Sequence, residues 1–282
     1  MLALSLGLFA ALVWAVHDLL ARKLSQGAAL VPMVLVVLGS GTAVLVVPAA
    51  VFGNWSGMTG AGAGLALAAG IAFAVAIGAL YRAFSLAPAR IVSPIIGAYP
   101  VLSLVLAVAQ GRAVTVWDWI AVAAVVAGIA VASLSGDDDG QAPSPLPAMG
   151  WSLLSACGFA ATFALGQEAA RQGADLPAIL ITRAAATLLV AAVFLARDNS
   201  VAALRGNLWL LAAMGAFDAL ALGLVTAAGN LARAEYATVA SSLFGVGTIL
   251  LAAHFLGERL RPLQWLGVAV VFTGIGILSA QG

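Results

Sequence analysis

The stretch GRAVTVWDWIAVAAVVAGIAVAS (residues 111–133) aligns without a gap with GERLRPLQWLGVAVVFTGIGILS (residues 257–279), 146 positions further along the chain. The identical pairs include Gly111/Gly257, Trp119/Trp265, Gly128/Gly274 and Ser133/Ser279. Matched alanines and valines carry little weight in so apolar a sequence, but matched tryptophan and glycine carry more. The same shift pairs Gln26-Gly27 with Gln172-Gly173. We therefore predict that the chain consists of two similar halves.

The composition is that of a membrane protein. Hydrophobic residues make up 63% of the 282 residues and charged residues only 8%, which leaves too little polar surface to cover a water-soluble globule. The net charge of +1 and the lack of a lysine and arginine run argue against a nucleic-acid partner. The single cysteine, Cys157, excludes a disulfide or a cysteine metal site within one chain.

The hydrophobic runs predict an all-α membrane protein with ten transmembrane helices. A bilayer core of about 30 Å needs roughly 20 helical residues per crossing, because backbone polar groups cannot stay unpaired in lipid. Ten runs qualify: 2–20, 29–52, 62–81, 91–109, 116–135, 149–166, 176–196, 208–230, 236–255 and 263–280. Charged residues fall mostly between these runs, which supports the count.

The longest polar break, SGDDDGQAPSPLP (residues 135–147), divides the ten spans into two sets of five. We expect a first repeat at residues 1–135, a polar linker at 136–147 and a second repeat at 148–282. Because each repeat has an odd number of crossings, the second begins on the opposite side of the membrane. The two repeats are then inverted, as in secondary transporters. The run Asp137 to Asp139 fits a solvated linker better than a metal or diphosphate site.

Two tracts resemble a known family of carriers. LAPARIVSPIIGAYPVLSLVLA (residues 86–107) and FLGERLRPLQWLGVAVVFTGIGILS (residues 255–279) are similar to the ends of the two repeats of EamA-type carriers in the drug/metabolite transporter superfamily. The resemblance covers essentially the whole chain. It implies a multi-pass, ten-helix carrier of small metabolites in the bacterial inner membrane, with a cavity lined mainly by spans one, three, four, six, eight and nine. Members similar to this chain include amino-acid exporters, aromatic amino-acid exporters among them.

The sequence departs from the family pattern at two places. The first repeat has Gln110-Gly111-Arg112 where the second has Gly257-Glu258-Arg259, so no shared role for Glu258 is implied. The ninth span has Ser241-Ser242 where the pattern places a proline, which predicts that the two halves bend differently. The resemblance implies that both termini are cytoplasmic, whereas the distribution of arginine and lysine among the loops favours the opposite orientation.

Asp218 is the clearest candidate for substrate binding, because a charge near the bilayer centre costs about 3 kcal/mol on insertion scales. It lies near the middle of the eighth span, where it would bind a substrate amine, carry a proton, or act only as a buried hydrogen-bond acceptor. Arg183 is closer to the start of the seventh span. Its long side chain is expected to snorkel to the interface, and a pair with Asp218 is the alternative.

Trp14 and His17 share one face of the first span at helical spacing. If that face meets the cavity, the indole holds an apolar substrate group and the imidazole gates the path or accepts a proton. The competing interpretation is an interfacial tryptophan and a solvated histidine. Tyr81 at the end of the third span fits either the cavity or an interfacial belt.

Four further side chains complete the predicted substrate-binding set. Tyr99 in the middle of the fourth span needs a partner for its hydroxyl, which favours a wet cavity over lipid. Ser93 is expected to face the same path. Phe163 in the sixth span is a cavity wall or plain packing, and Ser242 either offers its hydroxyl to a substrate or joins neighbouring helices.

The tract SPIIGAYPVLSL (residues 93–104) predicts a hinge. Pro94 and Pro100 each remove a backbone donor on either side of Tyr99, which a cavity tolerates but lipid does not. We expect them to bend the fourth span at the midplane. The corresponding ninth span has Gly245 and Gly247 instead, which predicts an asymmetric pair of hinges.

The sequence therefore predicts a secondary transporter that exports small metabolites, with amino acids the favoured cargo, by alternating access. Another metabolite or a drug-like solute is the alternative cargo, and a membrane-embedded lipid-modifying enzyme or a structural subunit is the alternative class. No Walker, paired-histidine zinc or nucleophile-elbow motif is present, so we expect no catalytic residue, cofactor, metal site or ATPase subunit. The expected partners are a small-molecule substrate and membrane lipid.

Overall fold

The computed structural model describes residues 1–25, 29–87, 89–109, 111, 113–133, 146–172, 174–197, 200–256 and 262–280. The described part of the chain is helical. Its α-helices are α1 (Leu2–Ser25), α2 (Leu30–Phe52), α3 (Gly60–Leu86), α4 (Ala89–Gly97), α5 (Tyr99–Ala109), α6 (Val116–Ser133), α7 (Leu146–Arg171), α8 (Asp175–Leu195), α9 (Leu208–Ala227), α10 (Glu235–Ser241), α11 (Phe244–Leu256) and α12 (Pro262–Ala280).

Six of the helical segments within those ranges are long and apolar enough to cross a membrane: α1, α2, α3, α7, α8 and the segment that contains α9. Four shorter apolar segments match the remaining predicted spans, at Ile95–Leu106, Val116–Gly128, Glu235–Leu251 and Trp265–Gly274. The multi-pass character of the chain is thus supported, and the count of ten spans stays a prediction.

The outer surface is apolar and the interior carries polar groups. Large hydrophobic side chains are exposed along the long helices, among them Phe9, Leu12, Val47, Leu67, Ile71 and Leu188. Buried polar side chains include Asp18, Asp118, Gln167, Arg183 and Asp218. Buried polar and charged side chains inside an apolar exterior are the arrangement expected of helices that face lipid and enclose a functional site.

The packing follows the twofold repetition of the sequence. Helix α1 packs against α9, α10 and α11, and its counterpart α7 packs against α3, α4 and α5. The equivalent helices α2 and α8 contact one another, as do α6 and α12. Gly128 and Gly274 allow α6 and α12 to pack closely. An added Cβ on Gly128 would clash with α12, and one on Gly274 would clash with α6.

Both the fourth and the ninth predicted spans are interrupted helices. Between α4 and α5, Ala98 N donates to Ile95 O (3.3 Å) and Val101 N to Ala98 O (3.1 Å). Pro100 cannot donate the backbone bond that would continue the helix. Between α10 and α11, Ser242 N donates to Val239 O and Leu243 N to Ala240 O, both at 3.2 Å. A shift of 146 places Ala98 beside this second break, so the interruptions are at nearly equivalent positions.

Candidate functional site

A cavity of about 350 Å³, including its opening, lies between the two repeats at the interrupted helices. Helices α1, α3, α5, α7, α9 and α11 contribute its walls, which consist of Trp14, His17, Asp18, Ile77, Leu80, Tyr99, Phe159, Phe163, Asp218 and Phe244. Of the predicted substrate-binding residues, the structure brings Trp14, His17, Tyr99, Phe163 and Asp218 to this one space.

Aromatic rings form most of one wall. The Phe163 ring centroid lies 5.7 Å from that of Trp14, 5.2 Å from that of Tyr99 and 5.9 Å from that of Phe159. Phe244 stacks on Tyr99 with centroids 6.4 Å apart and an interplanar angle of 6°. Such a wall offers flat apolar surface and negative ring faces, which suit an apolar body or a cationic group.

Asp218 lies in a buried hydrogen-bond network that joins α1, α8 and α9. Its Oδ2 accepts from Arg183 Nη1 at 2.8 Å, and its Oδ1 accepts from Trp14 Nε1 at 2.9 Å. The prediction that Arg183 snorkels to the interface is wrong, because the side chain is fully buried. The ion pair with the buried Asp218 outweighs the hydration that the guanidinium would gain at the membrane surface.

The space for Arg183 depends on Gly41. An added Cβ on Gly41 would clash with Arg183 Nη2 and Gly215 O, so α2 and α9 cross closely beside the guanidinium. The guanidinium carbon lies 5.6 Å from the centroid of the Phe73 ring. Among the described residues, Arg183 Nε and Nη2 have no hydrogen-bond partner. The arginine is therefore held by one ion pair and by close packing.

His17 and Asp18 form a second polar group in the same cavity. His17 Nδ1 is 3.0 Å from Asp18 Oδ1, and His17 Nε2 is 3.1 Å from the Tyr81 hydroxyl. The alternative of a solvated histidine is wrong, because only 1% of His17 is exposed. Tyr81 is buried rather than interfacial, and it holds the far side of the imidazole without lining the cavity.

The predicted serines lie near the helix breaks and do not line the cavity. The Tyr99 hydroxyl and Ser241 Oγ are 2.6 Å apart, which links α5 to α10. Ser242 Oγ donates to Val239 O at 2.7 Å. Ser93 is buried in α4, and its Oγ has no partner within the described part of the chain.

The predicted hinge residues lie at different distances from the breaks. Pro100 follows the α4–α5 break directly, whereas Pro94 lies inside α4. Gly245 and Gly247 lie inside α11, just after the Ser242–Leu243 break. A Cβ added to Gly247 would meet the Cβ of Ala15 at 2.7 Å, so this glycine permits close contact between α1 and α11. The predicted role of these residues as hinges stays a prediction.

The structure contains a charged cluster around Asp118 and Arg233 that the sequence did not predict. Asp118 Oδ1 accepts from Arg233 Nη2 at 2.7 Å and from the Tyr236 hydroxyl at 3.2 Å, and Arg233 Nε donates to Glu235 Oε1 at 2.9 Å. Arg233 has a φ of 60°. The cluster ties α6 of the first repeat to the α9–α10 connection of the second. The sequence feature that could have indicated the cluster is Asp118, an acidic residue in the first turn of an otherwise apolar helix.

The acidic groups of this cluster stabilise the charged form of Arg233. Partial burial alone lowers the pKa of Arg233, but the hydrogen bond to Glu235 and the charge of Asp118 outweigh it and raise that pKa. The guanidinium is therefore charged at all physiological pH values. Its carbon also lies 4.4 Å from the centroid of the Tyr236 ring, a cation–π distance.

No group of three histidine, cysteine, aspartate or glutamate side chains suited to a metal ion occurs in the ranges that the structure describes. The acidic run Asp137 to Asp139 and Glu258 lie outside those ranges. The described part of the cavity thus offers aromatic surface, two carboxylates and one imidazole.

Comparisons with known proteins identify the architecture. A family model described as the EamA-like transporter family matches residues 1–134 and again residues 146–280. No curated protein matches the sequence significantly. A crystal structure with 17% sequence identity aligns over 99% of this chain and 96% of its own, with a TM-score of 0.76. At that identity the similarity shows the fold alone.

Proposed function

Because the chain belongs to the EamA-like transporter family, we propose that it exports a small metabolite across the bacterial inner membrane by alternating access, with amino acids as the first cargo to test. The observation that carries the proposal is the cavity between the repeats, where aromatic rings and buried carboxylates from both halves meet. Family members are transporters rather than enzymes, which supports a function without catalysis.

The proposal includes a specific topology. Residues 1–135 and 148–282 form two inverted five-span repeats joined by the polar linker, and both termini lie in the cytoplasm. The interrupted helices support this arrangement, because non-helical backbone at membrane depth is tolerated where it lines a cavity. The breaks beside Tyr99 and Ser242 lie at the cavity or next to it.

Alternating access requires that contacts between the repeats separate at one end of the bundle at a time. The Asp118–Arg233 cluster lies at the end where α1 begins, since Ala3 packs against Ala228 and Ala237 of the same region. Entry or exit of a substrate at that end would require this cluster to separate. We therefore assign the cluster as a closing contact of the proposed transport cycle.

The aromatic wall supports amino acids with apolar or aromatic side chains over small polar ones. A phenyl or indole group would stack against Phe163 and Tyr99, and a ring contact of this kind contributes about 0.5–1.5 kcal/mol beyond its area burial. A buried carboxylate in the cavity wall suits the ammonium group of such a substrate.

Proteoliposomes that contain the purified protein are expected to take up labelled phenylalanine or tryptophan faster than empty liposomes. Alanine and glutamate serve as comparison substrates, and we expect them to be taken up more slowly because they cannot use the aromatic wall. The rate is measured by filtration at a series of times. Lack of protein-dependent uptake for every amino acid in a full panel would remove amino acids as cargo.

A further inference from the structure

The cavity contains two carboxylates, and their surroundings differ. Asp218 uses both oxygens, with Arg183 on Oδ2 and Trp14 on Oδ1. An additional cation at Asp218 would have to share an oxygen that already accepts from one of these buried donors. Asp218 is therefore a structural anchor in this conformation, although its position in the sequence made it the first candidate for substrate binding.

Asp18 has one oxygen that accepts no hydrogen bond from the described residues. Its Oδ1 is 3.0 Å from His17 Nδ1, whereas its Oδ2 is buried and has no hydrogen-bond partner among the described residues. Only 3% of the residue is exposed, yet it lines the cavity. A buried carboxylate oxygen without a donor is costly, and a donor carried by a ligand would remove that cost.

The ionisable side chains around the cavity are two acids, one arginine and one histidine. With both acids ionised, Arg183 charged and His17 neutral, one negative charge has no partner. The group then has a net charge of −1 in a buried setting, where an uncompensated charge is strongly unfavourable. One proton on the His17–Asp18 pair or one cationic ligand restores neutrality.

We propose that Asp18 binds the ammonium group of the transported compound and that a proton leaves the His17–Asp18 pair when it does so. The inference rests on the proposed function and names the substrate class as a protonated amine with an apolar or aromatic body. The ammonium group donates to Asp18 Oδ2, the body stacks on the aromatic wall, and the released proton passes to water at the open end. Amine and proton then exchange for one another.

The neighbours of Asp18 favour this exchange. Asp218 on α9 is the nearby acid that acts on Asp18 electrostatically, and Tyr81 on α3 contacts the far side of His17. The other charged or titratable side chains on the described helices around α1 either bind another group or are exposed, as Arg82 on α3 is. Glu235 binds Arg233 and Tyr236 binds Asp118, Glu168 pairs with Arg171 at 3.7 Å, and His254 is exposed near the end of α11.

The test is calorimetric titration of the purified full-length protein at mildly acidic pH with phenethylamine, phenylalanine and 3-phenylpropionate. Two buffers of different ionisation enthalpy report how many protons are released for each molecule bound. We expect the wild type to bind phenethylamine with release of up to one proton, and to bind 3-phenylpropionate at least tenfold more weakly, because it lacks the ammonium group.

Asp18→Asn is expected to weaken phenethylamine binding about tenfold or more and to remove the proton release. Glu168→Gln, which removes a partly exposed acid from α7, should change neither value. Unchanged affinity and proton release in folded Asp18→Asn would overturn the proposal. If Asp18→Asn does not fold, wild-type binding of phenethylamine without proton release at any pH from acidic to neutral would overturn it equally.

This test separates the inference from the proposed function. Protein-dependent amino-acid uptake without amine-linked proton release would leave a transporter whose cargo is held in another way. Failure to transport any solute would remove the transporter itself.

Discussion

Replacing Arg183 with methionine is expected to lower the free energy of unfolding by about 3–5 kcal/mol, because Asp218 would remain buried without its cation. The methionine keeps much of the apolar stem, so the loss reports the missing charge rather than a cavity. Equilibrium unfolding of the detergent-solubilised protein in increasing dodecyl sulfate measures the change. Arg197→Met provides the matched control, because Arg197 is exposed at the end of α8, and a change within about 0.5 kcal/mol is expected.

The double variant Arg183→Met/Asp218→Asn separates charge from packing. An asparagine oxygen at position 218 still accepts the Trp14 Nε1–H bond, and no uncompensated charge remains. We therefore expect the double variant to regain most of the stability that Arg183→Met loses. A double variant as unstable as the single one would show that the ion pair is not the cause, and that the packing of the guanidinium between α2 and α9 is.

Gly215→Ala is the second substitution with a large expected effect. The added Cβ would clash with Ser40 Oγ and Val37 O and would lie 2.9 Å from Gly41 N. Two of these atoms belong to the α2 backbone and cannot move alone, so α2 and α9 would have to separate beside Arg183. We expect a loss of about 1–3 kcal/mol in the free energy of unfolding, measured in the same titration.

Gly223→Ala is the matched control on the same helix. A Cβ there would meet only Ile179 Cδ1, at 3.8 Å, which is ordinary contact. Because alanine favours a helix by about 0.8–1.0 kcal/mol over glycine, this variant should be unchanged or slightly more stable. Equal destabilisation by both substitutions would contradict the assignment of a special close contact at Gly215.

The membrane class and the two-repeat organisation could be predicted from the sequence because both are properties of the chain itself. Hydrophobic runs set where helices can cross a bilayer, and a constant spacing of Trp119 and Trp265 reveals repetition without knowledge of contacts. The family match over residues 1–134 and 146–280 confirms two repeats. The aromatic positions of the cavity could also be anticipated, since Trp14 and His17 share a helix face.

Side-chain contacts between helices could not be decided from the sequence, which left the Arg183–Asp218 pair as the alternative to a snorkelling arginine. Arg183 and Asp218 are on different helices, and their pairing depends on how α8 and α9 rotate about their axes. Gly41 and Gly215 decide that geometry, but glycine is abundant in this chain, with 31 residues. The Asp118–Arg233 cluster was missed for the same reason, because the sequence alone does not show that the start of α6 lies beside the α9–α10 connection.

The choice between Asp18 and Asp218 shows most clearly what cannot be predicted from the sequence. Position in the sequence marks only Asp218 as a candidate, because it lies near the middle of its predicted span, whereas Asp18 lies near the end of the predicted span 2–20. The hydrogen-bond partners in the structure reverse this order, since each Asp218 oxygen accepts a hydrogen bond and Asp18 Oδ2 has no donor among the described residues. Sequence reasoning locates ionisable groups in a membrane but does not assign their partners.

The most direct test of the account is whether filling the cavity stops transport. Cysteine is placed at Ile77, which lines the cavity and is 1% exposed, or at Ile71, which is 55% exposed on the outside of the same helix, α3. Both variants also carry Cys157→Ser, because Cys157 is exposed. Phenylalanine uptake by proteoliposomes is then measured before and after a bulky thiol reagent.

We predict that the reagent abolishes uptake by Ile77→Cys, that phenylalanine slows this inactivation, and that Ile71→Cys keeps its uptake after full modification. Uptake that continues while Ile77→Cys is fully modified would contradict the central claim that the substrate passes through the cavity between the two repeats.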